Sequence, residues 1–404
     1  MVEISGRRKP LSAKKTPRPD TVITHAGRTP EDYFGFVNPP VYQGSTVLFP
    51  DVATYRQASK QRYRYGRRGS PTLEALENAI STLEGAAGTV LEPSGLAAIS
   101  IALMSCLSSG DNVLVVDTAY GPTRNFCDKI LKRMGVSTTY YDPSVGAGIA
   151  DLIAGNTRAI FLESPGSLTF EIQDVPAIVD VARQRGISTI MDNTWATPFF
   201  FRPLEHGVDI SVIAATKYIG GHSDIMLGTV SANADHWPSL HDLHGTMGQH
   251  VGPDVAYLGQ RGLRTMAVRL RQHHASGLKI ANWLESRPEV ARVLHPGLES
   301  FPGHDIWRRD FSGASGLFSI VMQRGPQMAV DAFIDGLDYF GIGASWGGYE
   351  SLATPFDPSA SRTATRWQAE GPAIRLHIGL EDPADLIDDL EAGLERWREA
   401  GGTG

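Results

Sequence analysis

In the stretch AATKYIGGHSD, Ala214 to Asp224, a lysine stands directly after an apolar run and directly before two glycines. An amine carried out of a buried strand loses hydration, titrates lower and gains nucleophilicity. A second apolar run, STIMDN (188–193), delivers a carboxylate, Asp192. The plain alternative for Lys217 and Asp192 is a salt bridge. A third run leads into EPSGLAAISIALM, where Ser94 is placed to cap a helix whose first amides, at Gly95 and Leu96, carry little bulk at Gly95. Free amides at such a helix end bind phosphate. A fourth run ends in DTAYGPT and sets an aromatic ring, Tyr120, just beyond a strand. Taken singly, the Ser-Gly helix start reads as an ordinary cap and the tyrosine as partial core.

Together these groups match what pyridoxal phosphate needs. An amine bonds its aldehyde, an anion keeps its pyridine nitrogen protonated, and a cradle anchors its phosphate. Tyr120 adds a ring to stack on the pyridine.

The elements that must position these residues alternate in the middle third. Short apolar runs, NVLVVD (112–117), AIFLES (159–164), STIMDN (188–193), DISVIAA (209–215) and GTVSAN (228–233), are interleaved with helical patterns such as VPAIVDVARQRG (175–186). That alternation predicts an α/β fold with a mostly parallel sheet, and in open sheets of this kind ligands sit outside the carboxyl ends of the strands. From about Gly262 a long helical segment is followed by isolated strands, GLFSIVM (316–322) and AIRLHIGL (373–380). A terminal helix then opens with acids and a proline. The expected division is an arm and inter-subunit segment at 1–68, a large cofactor-binding domain at 69–262 and a smaller α+β domain at 263–404.

The chain has 404 residues, 20% of them charged, with a formal net charge of -7. That balance suits a globular enzyme of two or three domains and argues against nucleic acid as a bulk partner. Two cysteines, Cys106 and Cys127, offer no disulfide framework. No apolar run approaches the ~20 residues of a membrane span, and the basic leader MVEISGRRKPLSAKKTPRPD lacks the apolar stretch of a signal peptide. A cytoplasmic location is the expectation, with the leader a loose arm.

The motifs YRYGRRGSPT, DTAYGPTRNFCDKIL, MDNTWATP, AATKYIGGHSDIMLG, ASWGGYESL and IRLHIGLED, in that order along the chain, closely resemble the Cys/Met-metabolism family of pyridoxal-phosphate enzymes, from about Thr24 to the last helix. The resemblance implies a fold-type I PLP-dependent transferase architecture, aspartate aminotransferase-like, with a mixed, mostly parallel large sheet. It implies Lys217 as the lysine that bonds the coenzyme, Asp192 as partner of the pyridinium and Tyr120 as the stacking ring. It places the Gly95 and Leu96 amides and the Thr216 hydroxyl on the phosphate. Tyr65 and Arg67 of YGRRG are implied to reach a neighbouring subunit's site, making a homodimer the smallest working unit and a tetramer the expected assembly. Arg375 is implied as the anchor for a substrate α-carboxylate, with Ser345 and Trp346 in the substrate wall.

The activity implied is β-elimination of cystathionine to homocysteine, pyruvate and ammonia, with Lys217 as base and Tyr65 or Tyr120 assisting proton transfer. Other cysteine S-conjugates or cystine are further expected substrates. Trp346 and YGRRG favour the β-acting branch over the γ-acting one. Two departures are Ala344, where the β-acting branch often has tyrosine, and Ala214, where γ-type members often have serine.

Two rival readings come from other classes. GASWG (343–347) fits the G-x-S-x-G elbow of a serine hydrolase, with Asp357 and His377 downstream in the right order, but glycines and prolines follow where a helix is needed. His236, His241, His244 and His250 suggest a metal site, yet no carboxylate or cysteine completes a recognisable set, so no metal is expected.

Overall fold

The computed structural model describes residues 17–404. Most of the expected leader lies outside the described residues.

Seven strands form the larger sheet: β1 (Gly88–Glu92), β2 (Asn112–Val116), β3 (Ser137–Tyr141), β4 (Thr157–Glu163), β5 (Ser188–Asp192), β6 (Ile210–Ile213) and β7 (Gly228–Ala232). Their spatial order is β1-β7-β6-β5-β4-β2-β3. Only β7 runs antiparallel to its neighbours, so β1, β2, β4, β5 and β6 all open at one edge. Parallel strands covered by helices on both faces lack the polar–apolar alternation of half-exposed ones. Accordingly β1, β2 and β6 are buried at every position. β3, at the sheet's border, is the strand whose residues reach solvent.

The helices that matter for the site follow their sequence signals. α1 (Pro71–Glu84) begins at Ser70, whose hydroxyl accepts from the Leu73 amide, and ends at Gly85 in the left-handed region. α2 (Gly95–Cys106) starts immediately beyond β1, capped by Ser94, which accepts from the Ala97 amide. α3 (Val175–Arg185) is the crossover from β4 to β5. α4 (Trp237–Met247) follows β7. α5 (Pro253–Glu285) is a 33-residue helix that packs on α1 and runs to the second sheet; position 262 falls inside it.

The second sheet contains β8 (Val290–Leu294), β9 (Leu317–Met322), β10 (Phe340–Gly341), β11 (Ser351–Phe356) and β12 (Ala373–His377), ordered β10-β11-β12-β9-β8. The terminal helix α6 (Pro383–Glu399) buries Leu386, Leu390, Leu394 and Trp397 along one face, at spacings of three and four. Among the described residues, no helix is long and apolar enough to cross a membrane.

The two sheets are tied together close to the open edge of the larger one. Asp117, just past β2, accepts bonds from the amides and hydroxyls of Thr363 and Thr365 and from Arg124. Burial alone would raise the Asp117 carboxyl, but these donors together outweigh it and hold the group down at about 2. Arg362, in the same segment, pairs with Glu171 at 3.0 Å.

Candidate active site

The carboxyl ends of β1, β2, β4, β5 and β6 meet β12 and the segment 343–348 around one cleft. Among the residues lining it are Gly95, Leu96, Tyr120, Glu163, Asp192, Thr216, Lys217, Ala344, Trp346 and Arg375. The structure therefore brings together most of the residues singled out from the sequence, drawn from positions up to 280 residues apart.

Lys217 sits four residues after β6. Its Nζ is 2.7 Å from Ser345 Oγ and 5.0 Å from the centroid of the Trp346 ring. Among the described residues no ion pair joins Lys217 to Asp192, so the salt-bridge alternative is not what forms. Burial first, then the charge of Arg375, lower the Lys217 ammonium from 10.5 to about 8, with Asp192 pulling the other way.

Asp192 ends β5, and its Oδ1 accepts from both the amide (2.9 Å) and the hydroxyl (2.5 Å) of Thr194. The same hydroxyl accepts from the Ala214 amide at 2.8 Å. Thr194 thereby fixes the carboxylate relative to the lysine turn, a role sequence reasoning missed although the Asp-x-Thr spacing was its signal. Burial raises the Asp192 carboxyl, against the lowering by Thr194 and Lys217.

Glu163 was also missed. It ends β4 beside Asp192 in the strand register, and its Oε2 accepts from the Tyr120 amide at 2.8 Å. Burial, reinforced by the charge of Asp192, pushes its carboxyl well above the ordinary range. Two adjacent buried carboxyls disfavour a second negative charge, and burial favours the neutral form of Glu163. A carboxylate ending an apolar parallel strand, as at Asp192, was the available signal.

Tyr120, fixed through its backbone, presents a half-exposed ring to the cleft. Burial first, then Asp192 and Glu163, raise its phenol. Arg375 donates from Nη2 to the carbonyls of Gly343 (3.1 Å) and Ser345 (3.2 Å), and neither bond uses Nε or Nη1. The Thr216 hydroxyl donates to the Leu227 carbonyl at 3.1 Å and accepts from the Leu227 amide. It can offer its hydrogen to the cleft only by giving up the first of these bonds.

The serine hydrolase reading is overturned. No helix follows Ser345, whose hydroxyl faces Lys217; Asp357 lies exposed and bonds Ser359; His377 Nε2 takes the Gly347 amide. The clustered histidines have separate partners: His236 bonds Ser188 and Asn233, His244 bonds Glu92, and His241 packs on Trp237.

Tyr65 and Arg67 do not line this cleft in their own chain. Tyr65 is about half exposed, and Arg67 donates to the Gly245 carbonyl at 2.9 Å.

With this geometry in place, comparison with known proteins is decisive. The family profile described as Cys/Met metabolism PLP-dependent enzyme matches residues 20–395. The chain belongs to this family. A "putative cystathionine beta-lyase" of Rhizobium johnstonii is 55% identical over 93% of this chain and 95% of its own. "Cystathionine beta-lyase MetC" of Escherichia coli is 46% identical, covering 93% and 98%. Among solved structures, cystathionine gamma synthase from Xanthomonas oryzae pv. oryzae in complex with cystathionine superposes with a TM-score of 0.88. It is 32% identical and covers 96% of this chain and 100% of its own.

The coenzyme of the family is pyridoxal phosphate, and the cleft fits it. A Cβ at Gly95 would come within 2.5 Å of the Ala214 side chain, so only glycine lets the start of α2 close on the lysine turn. The amides of Gly95 and Leu96 open the helix there, where the dipole favours phosphate. Among the described residues none bonds Asp192 Oδ2, which is available to a protonated ring nitrogen.

Proposed function

We propose that this chain is a carbon–sulfur lyase that cleaves L-cystathionine by β-elimination, giving L-homocysteine, pyruvate and ammonia in sulfur amino-acid metabolism. What carries the reading is Lys217, lowered to about 8 and standing between an anion, Asp192, and a cation, Arg375, in one cleft. Relatives named cystathionine beta-lyase over nearly the full chain supply the reaction class.

When bound, the coenzyme supplies an electron sink for negative charge left at the substrate Cα. Lys217 would hold the coenzyme, and as a free amine it accepts the Cα proton of the substrate; a group titrating near 8 has an appreciable neutral fraction at neutral pH. Ser345 Oγ steers Nζ. Arg375 receives the substrate carboxylate on Nε and Nη1, the bidentate geometry its planar fork favours. Asp192 keeps the ring nitrogen protonated, Tyr120 covers the ring, and the Gly95 and Leu96 amides hold the phosphate. The β-carbon–sulfur bond then breaks, and Tyr120, or Tyr65 from a second copy, assists proton transfer to the leaving sulfur.

The reading extends to assembly. Tyr65 and Arg67 serve the site of a second copy, and the exposed apolar residues of 34–55, among them Phe34, Phe36, Leu48 and Tyr55, form part of that contact. A homodimer is then the smallest active unit and a tetramer the expected one. The domain division 69–262 and 263–404, preceded by 1–68, belongs to the same proposal.

Product analysis with L-cystathionine tests it. Homocysteine with pyruvate supports β-elimination; cysteine with 2-oxobutyrate moves the chain to the γ-acting branch.

A further inference from the structure

Two buried histidines that the reaction does not use lie behind Lys217. His377, on β12 two residues beyond Arg375, is fully buried, and its Nε2 accepts from the Gly347 amide at 3.1 Å. The Gly348 carbonyl lies 3.2 Å from the same nitrogen, so Nε2 meets the turn with either ring nitrogen protonated: bare, it accepts from the Gly347 amide, and protonated, it donates to the Gly348 carbonyl. His273, on α5, has Nδ1 2.8 Å from the Ile378 carbonyl. A carbonyl only accepts, so His273 Nδ1 is the protonated nitrogen and its Nε2 is a bare acceptor. Neither His377 Nδ1 nor His273 Nε2 has another partner among the described residues, and the rings are 5.3 Å apart. A single buried water would satisfy both nitrogens, since water donates to a bare ring nitrogen and accepts from a protonated one.

What His377 holds is the wall of the site. Gly347 has φ +85, and a Cβ there would lie 3.0–3.1 Å from the Cα, Cβ and carbonyl carbon of Lys217. The turn therefore rests directly on the lysine stem, with Ser345 and Trp346 just before it in contact with Nζ. Tyr218 completes the packing, 5.5 Å from Trp346 and 6.0 Å from His377.

We infer that His377 is a positioning residue for the carbon–sulfur cleavage read above: through Nε2, which bonds the backbone of Gly347 and Gly348, it pins the Gly347 turn, and so the Ser345–Trp346 wall, onto Lys217. The same strand thus fixes the substrate clamp through Arg375 and the base through His377. The charged and titratable groups around the ring are His273 on α5, Arg375 on its own strand and Lys217 across the turn. Burial first, and then all three, disfavour a second proton, against the Gly348 carbonyl, which favours it.

The test compares the parent enzyme with H377F, which keeps a ring but no acceptor, H377L as a second apolar variant, and H377Q, whose side-chain carbonyl reaches the same amide. Hydrogen–deuterium exchange of the peptide spanning 343–350 reads the pin directly. Exchange is expected to quicken roughly tenfold in H377F and H377L, the loss of about one buried hydrogen bond, and to return toward the parent in H377Q. In step with it, kcat/KM falls about tenfold or more, mainly in kcat, and recovers in H377Q. A folded H377F or H377L with parental exchange, or with loosened exchange and parental kcat, overturns the inference, as does an H377Q no better than H377F. If the parent cleaves no carbon–sulfur bond, the reading of the reaction fails, and the exchange series still decides whether His377 pins the turn.

Discussion

Replacing Lys217 by methionine is expected to abolish turnover and yet stabilise the coenzyme-free protein. Burial and Arg375 lower the lysine from 10.5 to about 8. At about 1.4 kcal/mol for each tenfold in proton affinity, carrying the charged form in the folded state costs about 3 kcal/mol. Methionine keeps the length and packing without the charge. It forfeits the bond to Ser345 and the contact with Trp346, together about 1 kcal/mol, because the serine hydroxyl is reached by water. The net gain is about 2 kcal/mol at pH 7. The sign also fixes a pH dependence. Below about 8 both states of the parent bind the proton and the full penalty applies. Between about 8 and 10.5 the unfolded chain holds more protons, so parental stability rises with pH and the gap to the variant closes. Chemical denaturation of both coenzyme-free proteins at pH 7 and pH 10, at one fixed protein concentration because assembly contributes, measures this. A variant no more stable than the parent at pH 7, or a gap that does not shrink by pH 10, refutes the claim that burial is what tunes this amine.

Three further outcomes follow from the same geometry. Asp117→Asn turns donors against donors at the tie between the two sheets, and should cost about 2–3 kcal/mol in denaturation at pH 7. In the parent, the contribution of Asp117 is complete above the ordinary carboxylate value near 4 and is lost as pH falls through about 2, so the variant's deficit should narrow in acid. Glu163→Gln preserves an uncharged acceptor for the Tyr120 amide; kcat/KM should stay within about threefold of the parent, while Glu163→Ala loses roughly tenfold or more. Because the Glu163 carboxyl is raised, its contribution to parental stability falls as pH climbs above about 4.5 toward the folded value, so Glu163→Gln should lose less stability over that range, the other raised carboxyls being common to both. Arg67→Ala and Lys217→Ala should each be inactive alone, but subunits mixed at random should regain about one quarter of parental activity. Half the dimers are then hybrids with one intact site of two; no recovery on mixing would place Arg67 outside the shared site.

The strand ends were legible because a fully buried parallel strand writes itself as an unbroken apolar run, and the first polar residue after it marks the open edge. Asp192 and Lys217 stand out for that reason, and Ser94 because capping has a local signature. Arg375 does not stand out. It lies within β12, and its place in the cleft depends on the second sheet meeting strand ends more than 150 residues away in sequence. Glu163 was hidden by its own context, since a glutamate before Ser164 and Pro165 reads as the start of a loop. His377 suggested only a hydrolase, because a side chain accepting from a backbone amide 30 residues earlier leaves no spacing to recognise. The long helix begins at Pro253, ahead of the expected Gly262, and here the signal was present: Gly252, a proline at the first position and Asp254 in the first turn.

The cleft gathers groups that folding alone would avoid. Asp192 and Glu163 are buried side by side, Lys217 faces Arg375 without an ion-pair partner, and the Gly347 turn is held in the left-handed region against the lysine. The buried carboxyls and the lowered lysine oppose stability, whereas glycine adopts φ +85 at 347 without steric cost; Thr194 bonds Asp192, the Tyr120 amide bonds Glu163, and His377 bonds the Gly347 amide. A coenzyme that bonds the amine, binds the free carboxylate oxygen and sets its phosphate on the start of α2 would relieve the charge on Lys217, Asp192 and the helix end together. The coenzyme-free state should therefore be the less stable one. The part of that gap owed to the lysine should vanish in the Lys217→Met variant, whereas the part owed to Asp192 and the phosphate cradle should persist.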